Sequence, residues 1–223
     1  MGKIIVDNRY LEIAKDKFGE KHEIIPSFTC ENLQKPVCAH PDMTILPIED
    51  IFVCSPSSYE YYRSVLGDRV KCGATKLSNH YPNDIAYNVL IFENLAFGKE
   101  EFIDSVVKCE LRKRNIKIVN INQGYAKCSS CITKNGIITA DNSIYKALVK
   151  NNIAALNILP GFVKLFGYEY GFIGGASGEI DGELTFFGDI TKHPDFEKID
   201  NFCKFKYFSD FPLTDIGTIL YLN

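Results

Sequence analysis

The sequence lacks tryptophan, and it lacks any apolar run near the roughly 18 residues that cross a bilayer. Residues 1–7 have no apolar core of the kind that secretory signals need, so we expect a cytoplasmic location and no membrane partner. The chain also lacks a large excess of charge of either sign. Because the net charge of the 223-residue chain is only −3, no nucleic-acid partner is expected.

The composition is that of a globular protein, with 46% hydrophobic and 24% charged residues. Eight cysteines without an export signal indicate reduced thiols rather than a disulfide framework. The one dense basic run, residues 108–114, lies in a helix-like stretch and is interpreted as a solvated face. No motif indicates a cofactor, and none is expected.

A short β-branched run that ends in Asp-Asn occurs twice, at residues 2–8 and 135–142. Each run leads into a helix-like stretch and then into a second apolar run, which ends at Pro26 or Pro160. The Asp and Asn residues stand where a helix N-cap needs a side-chain oxygen. The repeated unit is therefore strand, cap, helix, strand.

Three further stretches follow this plan, which gives five units, and each unit is expected to open with one more strand. The opening strands are predicted at residues 41–46, 84–91, 125–132, 174–178 and 215–222. The last of them stands at the end of the chain, whereas the first unit lacks its own. We therefore predict that the first and last strands pair within one module.

Five such modules joined by the two ends make a ring, an architecture that leaves only short, protected sheet edges. The predicted fold class is α/β, as a five-fold pseudo-symmetric α/β propeller of ββαβ modules closed by the N- and C-termini. Residues 1–223 are expected to form a single domain. The alternative is an ordinary α/β sandwich with a coincidental internal similarity.

This plan resembles the pentein fold over the whole chain. Arginine deiminases, agmatine deiminases and dimethylarginine hydrolases, which modify guanidines, share that fold with the non-enzymatic translation initiation factor six. Runs such as residues 123–129 and 171–178 are similar to those of a small bacterial group of unassigned function within it. The resemblance implies either a guanidine-directed chemistry or a binding role.

In such a ring the opening strands line a central channel, and their first polar residues point at one shared site. The predicted site consists of His40, Asp42, Asp84, Lys127, Cys128, Ser177 and Asp215. We expect the three aspartates to approach one another at one end of the channel. Asp84, Lys127, Ser177 and Asp215 are expected to contact a substrate.

His40 and Asp42 match the His-x-Asp pattern of the guanidine-modifying enzymes. The resemblance implies that His40 is the general acid/base and that Asp42 grips the guanidinium, which pairs well with a carboxylate. The same triplet at His193 to Asp195 is interpreted as a helix start on the outer surface.

Cys128 is the candidate nucleophile, two modules after His40. Beside Lys127 and facing a histidine, its pKa is expected to be lowered. The alternative is a buried thiol that only packs. A zinc site with Cys131 and Cys38 is a weaker alternative, since Cys131 would face the other side of a strand, and no metal is predicted.

The sequence departs from the guanidine-modifying pattern in two respects. The module that would supply a second substrate carboxylate opens with the glycine-rich residues 174–178, and its first acid, Glu179, comes late. Long lid loops are also lacking. Two functions remain open: a cysteine hydrolase or transferase acting on a small guanidine or amidine, and a non-catalytic pentein that binds a protein, ribosomal or small-molecule partner.

Overall fold

The computed structural model of the protein describes residues 2–222. The first module comprises β1 (Lys3–Val6), α1 (Leu11–Phe18) and β2 (Glu23–Pro26). The second comprises α2 (Pro41–Thr44), β3 (Ile45–Ile48), β4 (Ile51–Cys54), α3 (Tyr59–Leu66) and β5 (Val70–Cys72). The third comprises β6 (Leu90–Phe92), β7 (Leu95–Gly98), α4 (Ser105–Lys113) and β8 (Lys117–Asn120).

The fourth module comprises β9 (Ser130–Thr133), β10 (Gly136–Thr139), α5 (Asn142–Lys150) and β11 (Ala155–Asn157). The fifth comprises β12 (Ser177–Ile180), β13 (Glu183–Phe186), α6 (Phe196–Phe202) and β14 (Phe205–Lys206), and β15 (Leu220–Leu222) follows it. None of the helices within residues 2–222 has the length and apolarity that a membrane crossing requires.

Each module is a three-stranded sheet in which the opening strand runs antiparallel to the central strand and the closing strand runs parallel to it. In the first module the opening strand is β15, with Lys3 opposite Leu222 and Ile5 opposite Leu220. The prediction that the two ends of the chain complete one module is therefore confirmed, as is the α/β propeller of five ββαβ modules.

The opening strands begin later than the sequence predicts, and this part of the prediction is wrong. Residues 41–44 form a helical turn, because Pro41 occupies its first position and the Met43 amide donates to the His40 carbonyl. Turns also precede β6, β9, β12 and β15; the Asn88 amide, for example, bonds to the Ile85 carbonyl and the Ser129 amide to the Tyr125 carbonyl within their own turns. The polar residues proposed for the site thus lie on turns or at the first strand position.

These five turns are joined into a closed circuit by hydrogen bonds that each run from one module to the next. The bonds are Asp42 N to Gly217 O (3.1 Å), Asn88 Nδ2 to Asp42 O (3.2 Å), Cys128 N to Asn88 Oδ1 (3.2 Å), Gly175 N to Cys128 O (2.9 Å) and Thr218 N to Gly175 O (2.8 Å). The circuit places the turns of all five modules around one centre.

The apolar core is shared between modules rather than divided among them. One cluster packs Met43 of the second module against Tyr87 and Leu111 of the third, and it includes Cys128 of the fourth. Another packs Ile4 and Val6 of the first module with Ile180 of the fifth. Because each module buries its apolar surface against its neighbours, it depends on the ring around it.

Candidate functional site

The thiol of Cys128 is held by two side chains from other modules. Its Sγ lies 2.9 Å from Asp42 Oδ2, to which it donates, and 2.9 Å from Asn88 Nδ2, from which it accepts. The Asn88 carbonyl oxygen in turn accepts the amides of Lys127 and Cys128, at 2.9 and 3.2 Å, and so fixes the turn that carries the thiol. The side chain is 3% exposed.

Asp42 lies behind the thiol. Its Oδ2 also lies 3.1 Å from Thr218 Oγ1, and its Oδ1 has no hydrogen-bond partner among residues 2–222. Lys127 Nζ donates to Thr218 Oγ1 at 2.9 Å. Burial raises the pKa of Asp42, and the nearby charge of Lys127 opposes that rise.

His40 is a buried imidazole between two carboxylates. Its Nε2 lies 3.7 Å from Asp7 Oδ2 and its Nδ1 lies 3.7 Å from Asp215 Oδ1, both beyond hydrogen-bond distance. Burial lowers the pKa of His40, against the opposing charges of Asp215 and Asp7, so the ring is neutral near pH 7. Nε2 has no hydrogen-bond partner among the described residues.

The glycine-rich turn of the fifth module makes room for Asp215. That carboxylate accepts the amides of Phe172 and Gly217, at 2.8 and 2.9 Å. A Cβ on Gly175 would lie 2.0 Å from Asp215 Oδ1, so only glycine fits there. Burial raises the pKa of Asp215, and His40 opposes that rise. The acid at this position of the ring thus comes from the chain end that follows the fifth module.

Cys128, His40 and Asp215 line one cavity of about 140 Å³, here called the thiol cavity. Its other walls are aromatic and apolar: Val37, Met43, Tyr125, Leu165, Tyr168, Tyr170 and Phe172. Tyr168 and Tyr170 are 45% and 43% exposed, so they form its rim. The cavity therefore combines one carboxylate, one thiol and one imidazole with aromatic walls.

The other predicted site residues lie outside this cavity. Asp42 and Lys127 line a separate cavity of about 60 Å³. The Asp84 carboxylate accepts the Tyr125 hydroxyl at 2.6 Å and lines neither cavity. Ser177 Oγ donates to the Gly174 carbonyl at 3.3 Å.

The expectation that three aspartates converge is met by two of them. All three are buried, and Asp42 lies near Asp215, since its charge raises the pKa of Asp215. The Asp42 amide also donates to the Gly217 carbonyl, and the Gly217 amide donates to Asp215. Asp84 is set apart because its carboxylate accepts the Tyr125 hydroxyl.

His193 is buried rather than on the outer surface, where the sequence predicts it. Its Nδ1 accepts the Asp195 amide, and its Nε2 lies 3.2 Å from the Leu159 carbonyl.

The expectation of a lowered thiol pKa is wrong for the free protein. Burial, and then the charges of Asp42 and Asp215, raise the pKa of Cys128 well above its ordinary value. Lys127 does not offset them, because its ammonium group is directed at Thr218. The thiol bonds to Asp42 and Asn88 rather than to His40, and Cys131 packs in a different cluster.

Asn88 and Thr218 were missed by the sequence analysis. Both stand two residues before an opening strand, as Cys128 does, and Met43 and Gly175 hold the same position in the other two modules. If the modules are aligned on the first residue of each opening strand, these five residues fall at equivalent positions. The sequence does not show where each strand begins, so Asp84 and Ser177 were aligned instead.

Residues 5–220 match the model of a family described only as a family of unknown function, DUF6873. No curated protein matches the sequence. Among solved structures, the chain is similar to dimethylarginine dimethylaminohydrolase from Pseudomonas aeruginosa, in a Cys-to-Ser variant complexed with citrulline. That likeness has a TM-score of 0.59 and 9% identity, and covers 96% of this chain and 92% of the other.

A second dimethylarginine dimethylaminohydrolase structure, a His-to-Gly variant with an S-methyl-L-thiocitrulline adduct, is similar at a TM-score of 0.59 and 10% identity. It covers the same 96% of this chain and 92% of the other. A third structure of this enzyme, an adduct with 4-chloro-2-hydroxymethylpyridine, is similar at a TM-score of 0.59 and 9% identity. That likeness covers 93% of this chain and 91% of the other. At this identity the likeness concerns the fold alone, and it confirms the pentein architecture.

Proposed function

Because the chain belongs to the DUF6873 family of unknown function and has the pentein fold, we propose that it is a cysteine hydrolase or transferase that acts on a small cationic guanidine or amidine. The observation that carries this proposal is the thiol cavity, in which Cys128, His40 and Asp215 meet inside aromatic walls. A thiol, a proton carrier and a carboxylate are the groups that such a reaction needs.

Charge and shape both favour a planar organic cation in the thiol cavity. The Asp215 carboxylate would pair with an amidinium or guanidinium through charge-assisted hydrogen bonds. The walls formed by Tyr125, Tyr170 and Phe172 offer ring faces to a delocalised cation. Such a cation also lowers the cost of ionising the thiol, which burial and then the charges of Asp42 and Asp215 keep protonated in the free protein.

The proposed first step exchanges a C–N bond for a C–S bond. Sulfur gives its proton to Nδ1 of His40, the ring nitrogen on the side of Asp215, and attacks the central carbon of the amidinium. His40 then returns that proton to the departing nitrogen as the C–N bond breaks, which leaves a cationic S-amidino intermediate and a neutral amine. Asn88 holds the sulfur in place during this step because its Nδ2 donates to Sγ, whereas the thiol gives up its hydrogen bond to Asp42 when it loses the proton.

The second step reverses these roles. Water attacks the same carbon and gives one proton to His40, the C–S bond breaks, and sulfur recovers its proton from His40. The protonated urea that is left gives its remaining extra proton to the released amine or to solvent. The net reaction converts a guanidine and water to a urea and an amine. An acceptor amine in place of water would give a transferase. In this scheme Asp42 positions the thiol and Asp215, rather than Asp42, holds the cation.

A second candidate is a protein that binds the same cation without turnover. Two specific observations favour it, namely the raised pKa of Cys128 and the hydrogen bond of the thiol to Asp42 rather than His40. Both keep the free protein in a protonated, unreactive state. The two candidates share the thiol cavity and differ only in whether a bound cation activates the sulfur.

The test is an assay of ammonia or amine release from agmatine, arginine and methylarginines between pH 7 and 9. We expect release by the wild type to rise with pH, because thiolate is needed, and Cys128→Ser to reduce it by about 100-fold or more. Cys109→Ser, at an exposed thiol outside the cavity, is the matched control and should leave the rate unchanged.

Calorimetric titration with the same compounds separates the remaining outcomes. A guanidine that binds the wild type but is never converted would support the binding protein. A protein that neither binds nor converts any of them would contradict both candidates.

A further inference from the structure

A second cavity of about 160 Å³ adjoins the thiol cavity and is here called the serine cavity. Its polar lining includes Gln123, Ser129, Asp141 and His193. Tyr170 and Phe172 line both cavities, so the two cavities meet at these side chains. Neighbouring residues of one turn face the two spaces, with Cys128 on the first and Ser129 on the second.

Ser129 presents a hydroxyl whose hydrogen-bonding capacity is unused. The residue is 3% exposed, and its Oγ has no hydrogen-bond partner among residues 2–222. A buried hydroxyl without a partner is unfavourable, and a ligand group that bonded to it would remove that cost. Three other polar side chains of the lining, Gln123, Asp141 and His193, already have partners. Gln123 bonds to Asp141 and to the Tyr125 amide, and His193 bonds to the Asp195 amide.

The charge of the two cavities is one-sided. Among the described residues that line them, none is Lys or Arg. Burial lowers the pKa of His193, so its ring is neutral. Although burial acts to raise it, hydrogen bonds from Ser143, Ile144 and Gln123 lower the pKa of Asp141, which stays ionised. A ligand carboxylate would meet Asp141 or Asp215 and no compensating cation.

From these contacts we infer that the serine cavity is a subsite for the far end of the substrate, and that this end carries a hydrogen-bond donor and no carboxylate. The inference rests on the proposed function, which places the cationic head in the thiol cavity. The substrate class is then an alkyl guanidine or amidine that ends in an amine, amide or hydroxyl, rather than an α-amino acid.

Calorimetric titration of three compounds tests this inference. Methylguanidine reaches the thiol cavity alone, agmatine adds an alkyl chain with an amine, and arginine adds a carboxylate to the same frame. We expect agmatine to bind about tenfold or more tightly than either of the others, which corresponds to roughly 1.4 kcal/mol.

Two serine variants connect that preference to the cavity. Ser129→Ala should weaken agmatine binding by about fivefold or more, the effect of losing one hydrogen bond, and leave methylguanidine binding unchanged. Ser130→Ala is the matched control, because Ser130 is equally buried and also lacks a hydroxyl partner, but lines neither cavity. It should change neither affinity.

Failure of the inference differs from failure of the proposed function. If methylguanidine binds and arginine binds as tightly as agmatine, or if Ser129→Ala has no effect on agmatine, the subsite is wrong and the proposed head-group site stands. If none of the three compounds binds, the proposed function fails and the inference fails with it.

Discussion

Asp42 is a carboxyl group that the fold keeps in an unfavourable surrounding. It is 2% exposed, one of its oxygens has no partner among the described residues, and burial raises its pKa. The other oxygen accepts the Cys128 thiol. The same burial that makes ionisation of Asp42 costly also suppresses the thiolate, so the two groups titrate as a linked pair.

Replacing Asp42 by Asn should change how stability depends on pH. The folded-state pKa of Asp42 is raised above its unfolded value, so the contribution of this residue is fully present below about pH 3.8 and is lost as the pH rises through the folded pKa. Asn has no such loss. The stability of Asp42→Asn relative to the wild type should therefore increase from pH 4 to pH 8, as measured by urea unfolding.

Asp189→Asn is the control for this experiment. Its hydrogen bonds with Thr191 lower the pKa of Asp189, so the contribution of this residue is fully present above about pH 3.8 and is lost only at lower pH. The stability of Asp189→Asn relative to the wild type should therefore stay nearly constant from pH 4 to pH 8. A stability deficit of Asp42→Asn that grows with pH would contradict the assignment of Asp42 as a destabilised, buried acid.

Sequence patterns predicted part of this site, but not the properties that depend on packing. His40, Cys128 and Asp215 stand out because each precedes an apolar run in a repeated unit, and the structure brings them to one cavity. The charge states of these residues could not be predicted from the sequence. The pKa of Cys128 depends on how deeply three other modules bury it and on the direction of the Lys127 side chain, neither of which a repeat pattern encodes.

At the scale of elements, Asp104 joins two neighbouring modules. Its Oδ1 caps α4 by accepting the amides of Val106 and Val107, at 2.8 and 3.2 Å. Its Oδ2 accepts the amides of Ala74 and Thr75, which follow the closing strand of the preceding module, at 2.9 and 2.7 Å. One buried carboxylate therefore satisfies four backbone donors from two modules.

Asp104→Ala should destabilise the protein by about 2–4 kcal/mol, because a helix cap and two further buried amide bonds are lost together. Asp104→Asn keeps one acceptor oxygen, so its cost should be smaller. Urea unfolding of the three proteins measures the difference. Equal stability of the wild type and Asp104→Asn would show that the link to Ala74 and Thr75 contributes nothing beyond the cap.

Helices and central strands were predictable because their periodicity is sustained. The helix expected after each of the two Asp-Asn runs is present, as α1 and α5. The opening strands were predicted too early, since the alternation of polar and apolar residues continues through the turns. Pro41 stands at the first position of a helical turn, and Gly217 and Thr218 have positive φ. Both features interrupt the strand hydrogen bonds, and neither is visible in the polar–apolar alternation of the sequence.

At the scale of the whole molecule, β15 is the strand that closes the ring. We propose that residues 1–223 form one cooperative domain, since the apolar clusters extend across module boundaries. A chain that ends at Ile219 keeps every proposed site residue but loses β15 and its pairing with β1. It should unfold globally and lose its cooperative thermal transition, because an unpaired β1 would expose buried Ile4 and Ile5.

Thermal unfolding monitored by circular dichroism checks this prediction. An unchanged midpoint would mean that β15 is a dispensable appendage and that the remaining modules are stable as an open arc. A lower midpoint with a cooperative transition would be expected only if closure by the turn circuit alone holds the modules together.

The pairing of Lys3 with Leu222 also means that the chain's beginning and end lie side by side, about 5 Å apart between Cα atoms of facing residues. A short turn would connect them, and the backbone would then be a closed loop with no preferred place to be cut. The residues of the thiol cavity come from the turns before β3, β9 and β15 and from the segment before β12, so their meeting depends on the circuit of modules and not on their order along the chain. Circular permutants cut in an exposed loop between two modules should therefore keep the same cavity, and in this fold the position of a site residue in the sequence carries less information than its position around the ring.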